Sequence, residues 1–321
     1  MLEEDMKAVV LNKTCSASDL KVSEVKKPHI RDGWVLVKVL GFGINRSEII
    51  LRESEADEDY INLPVIPGIE CVGEVVNPSN SKFKTGDKVI GLMGGMGRSF
   101  NGSYAEYCLI PIKNLFKIPR CDLSLEELIA IPETYFTSYG SLKALKINSE
   151  DVVLIRGATS ALGLTSIKLI KAVGADVIAT SRDEKKFYKL IKSGADECVL
   201  DNGVLSDKIK CSKVLELIGP KTLEDSLKCL NEGICCVSGV LGGEEFMQLE
   251  PIKTIPNNCY LTSFFSNYPT QEIIDEIFDF IIKYNIRTDI SKVFTDLSDI
   301  AQAHELMESN RAQGKIIFKL E

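Results

Sequence analysis

DVVLIRGATSALGLTSIKLIKAVGADVIATSRDEKKFYKLIKSGADECVL, running from Asp151 to Leu200, decides the fold. It opens on Val152-Val153-Leu154-Ile155, an apolar run too short for a helix and suited to a strand buried on both faces. A tight turn of small residues follows, Gly157 to Gly163. The pattern then reads as helix to Val173, stops at Gly174 and re-enters a strand at Val177-Ile178-Ala179. A second helix closes at Gly194 before the strand Cys198-Val199-Leu200. Glycine at each stop permits the left-handed backbone that ends a helix. Strand, turn, helix and strand in repetition make a parallel α/β unit of the dinucleotide-binding kind.

The turn departs from the simple G-x-G-x-x-G fingerprint. It reads Ala158-Thr159-Ser160-Ala161-Leu162-Gly163, and only the last glycine stands in place. Alanine and serine are small enough to let a pyrophosphate approach the backbone at the helix start. The Thr159 and Ser160 hydroxyls add hydrogen-bonding capacity. The plainer reading is a turn that uses small residues only for close packing.

The end of the second strand bears on which cofactor fits. An acidic residue there would accept from a ribose 2′-hydroxyl. This chain has Thr180-Ser181-Arg182, with Lys185 and Lys186 close behind. Hydroxyls and a guanidinium suit a 2′-phosphate, which a carboxylate would repel. Asp183 and Glu184 are read instead as the cap and first turn of the next helix. The pattern favours NADP(H) over NAD, although Lys185 and Lys186 also suit a solvated helix face.

With 321 residues, 45% of them hydrophobic, the chain can bury the cores of about two domains. A net charge of −8 gives no electrostatic case for binding nucleic acid. No apolar run reaches the roughly 18 residues that a membrane span needs. The start, MLEEDMKAVV, is acidic and unlike a signal peptide, so a cytoplasmic location is expected. The ten cysteines include no C-x-x-C pair, and Cys71, Cys108, Cys198 and Cys235 fall in strand patterns as small hydrophobes. The two histidines, His29 and His304, read as structural or solvent-facing. Zinc and Ser-His-Asp chemistry are both poorly supplied.

Before the α/β unit, most of the first 120 or so residues carry strand and turn signals at short spacing, an irregular β domain. Strands are expected at Lys7 to Leu11, Leu36 to Leu40 and Tyr104 to Ile110, with an acidic, mobile segment from Glu53 to Asp59. After it come a helix at Leu223 to Leu230, strands at Ile234 to Val237 and Tyr260 to Phe265, and an amphipathic helix from Glu272 to Tyr284. Seven pieces then stand in one order: G-F-G-I-N-R-S-E, P-V-I-P-G-I-E-C-V-G-E-V, F-K-T-G-D-K-V, G-S-Y-A-E-Y, I-P-E-T-Y-F-T-S-Y-G, A-T-S-A-L-G and H-E-L-M-E-S-N-R-A-Q-G-K-I. Together they resemble the medium-chain dehydrogenase/reductase superfamily over nearly the whole length.

That resemblance implies a Rossmann-type parallel-sheet nucleotide-binding domain, residues 128–268, and a GroES-like irregular β catalytic domain, residues 1–127 and 269–321. Zinc alcohol dehydrogenases of the superfamily place metal ligands at positions matching Asn45, Ile69 and Glu133 here. Asn45 and Ile69 are poor zinc ligands, and the Gly94 to Gly102 loop lacks the cysteines of a structural zinc lobe. The chain is therefore most similar to the zinc-free quinone oxidoreductase branch, the crystallin-like quinone reductases included, and no metal is expected.

The same resemblance supplies a candidate site. Asn45 is expected to donate to a substrate oxygen, with Ser47 and Thr137 matching hydroxyls near the reacting centre and Tyr60 as a phenol-tipped wall. Ile218, Gly239, Leu241 and Phe265 are expected around the nicotinamide, and Arg46 and Asn310 near cofactor phosphate or nicotinamide. For Tyr135 and Tyr139, helix packing is the stronger reading. No dedicated general acid stands out. Without a metal, a quinone or conjugated enone suits the site better than a simple ketone, since its developing charge is already delocalised. The expected activity is NADPH-dependent reduction of a quinone or α,β-unsaturated carbonyl by a homodimer. Alternatives are an alkenal or enoyl-thioester reductase and a non-catalytic NADPH-binding protein, with zinc alcohol dehydrogenase behind both.

Overall fold

The computed structural model describes residues 4–243 and 246–320. The chain forms two compact units, one running to Glu133 and resuming at Asn267, the other comprising Thr134–Ser266. The first boundary, expected at 127/128, falls after residue 133 because the helix Leu125–Ala130 belongs to the first unit's core. Its Ile129 side chain lies directly against Gly41, where a Cβ would collide with it. The second boundary falls at 266/267, two residues before the expected one.

In the second unit six parallel strands form one sheet. In sequence they are Val152–Arg156, Asp176–Ser181, Glu197–Leu200, Cys211–Glu216, Leu230–Val237 and Cys259–Ser263. Numbered one to six, they lie in the order 3-2-1-4-5-6. This is the doubly wound dinucleotide-binding arrangement, with its switch point between Val152–Arg156 and Cys211–Glu216. The apolar run at Val153, Leu154 and Ile155 is fully buried, as a central parallel strand requires.

Some element ends differ from the expected ones. The helix expected at Leu223 to Leu230 is Pro220–Lys228, started by Gly219 and a proline in its first turn. Leu230 instead pairs with Cys211, so the next strand begins there rather than at Ile234. The last strand ends at Ser263, because Phe264 turns away to lay its ring against Gly140 and Phe136.

The first unit is built on the ten-residue strand Trp34–Gly43. Antiparallel partners are Glu70–Asn77, Tyr107–Pro111 and Lys315–Lys319, and Ile290–Phe294 adds in parallel to the last of these. The chain thus returns from the second unit to complete the first unit's sheet. Stacked rings of Phe42, Tyr104, Phe318 and Phe294 fill the core. The expected strand at Tyr104 starts only at Tyr107, because the Tyr104 carbonyl accepts from Val9 N–H outside the ladder. His304 is buried, with Nε2 3.1 Å from the Tyr104 hydroxyl. Burial, with the nearby Arg52 charge, lowers its pKa to about 3. No helix among the described residues is long and apolar enough to cross a membrane.

Candidate active site

Within the first unit the helix Arg46–Glu53 begins immediately after Asn45. The Asn45 backbone N–H donates to Glu48 Oε2 at 2.8 Å, the reciprocal arm of a capping box. Glu48 Oε1 accepts from the Ile69 N–H at 3.0 Å. The Asn45 side-chain amide donates to Glu70 Oε1 at 2.9 Å. Lys315, delivered by the returning strand, lies 2.7 Å from Glu70 Oε1 and 3.7 Å from Glu133 Oε2, and donates to Asn45 Oδ1. Gly43 makes room for it, since a Cβ there would strike both Lys315 Cε and the Glu70 carboxylate.

Four members of this cluster, Asn45, Glu48, Glu70 and Lys315, are buried. Burial alone would lower the Lys315 pKa, but Glu70 and Glu133 more than offset it and the net direction is upward. Burial raises Glu48 to about 7, with Glu70 reinforcing the shift while Ile69 N–H and Lys315 oppose it. Around neutrality Glu48 can therefore hold a proton. Among the described residues, no group of three or more His, Cys, Asp or Glu is arranged to hold a metal ion.

Ser47, the second residue of the same helix, accepts at Oγ from Arg98 Nη2 at 2.9 Å, and its carbonyl accepts from the same nitrogen. Arg98 comes from the glycine-rich loop and grips Glu55 through Nε at 2.8 Å and Nη2 at 2.6 Å. Burial works against its charge, yet the hydrogen bonds and charge of Glu55 outweigh it and keep the guanidinium protonated. Tyr60, 60% exposed, donates its hydroxyl to Glu55 at 3.1 Å. The segment expected to be mobile is thus held at Glu55, and again at Asp57 by the Thr14 hydroxyl. Arg46 is half-buried. Asn310 is exposed with φ +54°, its side chain donating to the Glu308 carbonyl.

In the second unit, Gly157 at φ +81° turns the chain out of Val152–Arg156 towards the helix Ala161–Val173. Ser160 caps that helix, its Oγ accepting from Gly163 N–H at 3.0 Å. A Cβ at Gly163 would overlap the Ala158 backbone, so turn and helix meet at their closest there. The Ala161 and Leu162 N–H groups open the helix, where no intrahelical acceptor exists. Such a terminus suits a pyrophosphate, and Thr159 flanks it. Ser160 itself is committed to the cap.

The Ser181 hydroxyl is turned inward, bonded to the Asp183 N–H and carbonyl, while Arg182 and Lys185 are exposed. Asp183 caps the short helix Glu184–Lys186, accepting from Lys185 N–H. Thr137 is buried on the helix Pro132–Leu145, and its carbonyl accepts from the Ser141 hydroxyl. Leu241 N–H donates to the Leu217 carbonyl and Gly242 N–H to that of Ile218, which laces the turns holding Ile218, Gly239 and Leu241 together. Phe265 is 75% exposed.

Sequence reasoning passed over the charges beneath these turns. Arg156, fully buried at the end of the first strand, makes a two-pronged contact with Asp201 at 2.9 and 2.7 Å and reaches Asp225 at 2.7 Å. Glu216, at the end of the neighbouring strand, accepts from Ile218 N–H at 2.7 Å and Gly219 N–H at 3.0 Å. Burial nonetheless raises its pKa. Charged residues closing two apolar strands side by side were the available signal.

Residues 31–120 match the family described as the alcohol dehydrogenase GroES-like domain, and residues 193–318 the family described as zinc-binding dehydrogenase. The chain belongs to the medium-chain dehydrogenase/reductase superfamily. Its relatives within it include quinone oxidoreductases and alcohol dehydrogenases. It is 27% identical over 315 residues to the quinone oxidoreductase of Sus scrofa, covering 93% of this chain and 92% of that one. It is also 27% identical to an alcohol dehydrogenase of Geobacillus stearothermophilus, over 98% of this chain and 99% of that one. The Bacillus subtilis protein yhfP, solved with NAD bound, matches with TM-score 0.83 at 25% identity, covering 99% of this chain and 100% of that one. The quinone oxidoreductase of Coxiella burnetii shares the fold, with TM-score 0.87 at 24% identity and coverage of 99% and 100%.

Proposed function

We propose that this chain is an NADPH-dependent oxidoreductase that reduces a quinone or an α,β-unsaturated carbonyl without catalytic zinc. The observation that carries the reading is the Lys315 ammonium bonded to Asn45 and Glu70. Of the three positions matching zinc ligands in relatives, Ile69 has no donor atom. Asn45 already spends its oxygen on a cation. A divalent ion placed there would meet a buried positive charge at close range, in a medium that screens poorly. The donor set does not fit zinc.

The residues do fit a nicotinamide dinucleotide. The free N–H groups of Ala161 and Leu162 suit its pyrophosphate, and exposed Arg182 and Lys185 suit a 2′-phosphate. The cofactor supplies the hydride, and the protein's share is to orient the reactants and receive the charge that develops.

Oxidation of NADPH by small quinones or enones is expected to survive a chelator and to outrun that of NADH. Arg182→Ala should raise KM for NADPH by about tenfold, the worth of one charged hydrogen bond, and leave KM for NADH unchanged. Turnover confined to alcohols or aldehydes, and abolished by the chelator, would overturn the reading.

We further infer a homodimer joined along Cys259–Ser263, the edge strand of the parallel sheet. An unpaired edge is a template for a second strand, and Tyr260 on it is 67% exposed. Light scattering should give twice the chain mass, and Tyr260→Glu should give the mass of one chain. A wild type of single-chain mass at micromolar concentration would rule the dimer out.

A further inference from the structure

We propose that Arg98 donates from Nη1 to the substrate's carbonyl oxygen and holds the negative charge that collects there during reduction. This rests on the function proposed above. The case begins with what the other polar groups cannot do. Lys315 is buried and spends its ammonium on Glu70 and Asn45. Asn45, the expected substrate donor, gives its amide hydrogen to Glu70 and its oxygen to Lys315. Glu48 is sealed beneath Asn45 and Ile69. Of the arginines around Ser47, Arg98 is the one bonded to it and fixed by a carboxylate.

Its geometry is that of a preset donor. Nε and Nη2 are taken by Glu55 and Ser47, whereas Nη1 has no partner among the described residues. The side chain is 20% exposed, so most of the guanidinium is out of water but not closed off. The backbone is fixed too: Arg98 N–H donates to the Gly95 carbonyl, and its own carbonyl accepts from Asn62 N–H. A donor held this way need not reorganise when charge appears before it. Glu55 neutralises the guanidinium at rest, which suits a neutral carbonyl that becomes anionic only during reaction better than a carboxylate already charged.

The step balances. Hydride adds to the β carbon, the carbon–carbon π pair moves to the bond next to the carbonyl, and the carbonyl π pair moves onto oxygen. That oxygen, facing Arg98, later takes a proton from water. The substrate gains two electrons and the reduced nicotinamide loses them.

The test compares wild type, Arg98→Gln and Arg98→Lys in turnover of a small quinone, and in binding of 4-nitrophenol, whose anion mimics the product oxyanion. Loss of one preset donor should lower kcat about 100-fold in Arg98→Gln while KM for NADPH stays put, with partial recovery in Arg98→Lys. Wild type should bind 4-nitrophenolate and lower the phenol's apparent pKa by about one unit, and Arg98→Gln should lose this tenfold preference for the anion. Wild-type kcat and an unchanged phenol titration in a folded Arg98 variant would overturn the proposal. If wild type reduces no quinone or enone, the functional reading fails, and the phenol titration still decides the role of Arg98.

Discussion

Replacing Lys315 by methionine is expected to destabilise the first unit by about 3–5 kcal/mol, the usual cost of breaking a buried ion pair from one side. Methionine nearly matches the lost stem, so little of this would come from a cavity. The cost arises because Glu70 keeps its place with no cation beside it, while Glu48 and Glu133 stand near. The effect should depend on pH. Glu48 has a folded pKa of about 7 against an ordinary value of 4.5, so its protonation contributes stability fully present below 4.5 and lost as pH rises through about 7. Lys315 holds that pKa down, and its removal pushes it higher. Urea unfolding of Lys315→Met should show a smaller loss at pH 5 than at pH 8. A loss under about 1 kcal/mol at both would mean that the carboxylates find other partners.

Arg156→Met should cost the second unit a similar amount, about 3–5 kcal/mol, by leaving Asp201 and Asp225 facing an apolar group. Arg156 also donates to Ser226, which in turn donates to Glu216, the carboxylate that fixes the Ile218–Gly219 turn. The variant should therefore bind NADPH more weakly as well as unfold earlier. With two units, two thermal transitions are expected to separate, the earlier one moving with position 156 in this variant and with position 315 in the other. Unaltered NADPH affinity in a destabilised Arg156→Met would detach the buried network from the cofactor turn.

Much of the architecture was legible in local patterns. Val152 to Ile155 is apolar without interruption because a central parallel strand is covered on both faces, and Gly174 marks a helix end because it takes φ +95°. That Asn45 and Ile69 are poor zinc ligands could likewise be read from their side chains alone. The Lys315 contact with Asn45 was not legible. Lys315 sits in an ordinary G-K-I-I strand, and 270 residues separate it from Asn45, so no spacing rule connects them. Arg98 was hidden in the same way, in a loop noted for its glycines and its lack of cysteine. His304 lay on a helix pattern that gave no sign that Tyr104, 200 residues earlier, would meet it.

The interrupted course of the first unit orders events during synthesis. Its long strand Trp34–Gly43 is made before the second unit, yet the neighbour that pairs with Gly41, Phe42 and Gly43 is the strand Lys315–Lys319, made after it. Thr134–Ser266 has all six of its strands much sooner and can fold as a unit while translation continues. The nascent chain thus carries an open strand edge, Phe42 included, while the whole second unit is being made, and that edge is the part a holdase chaperone would need to cover.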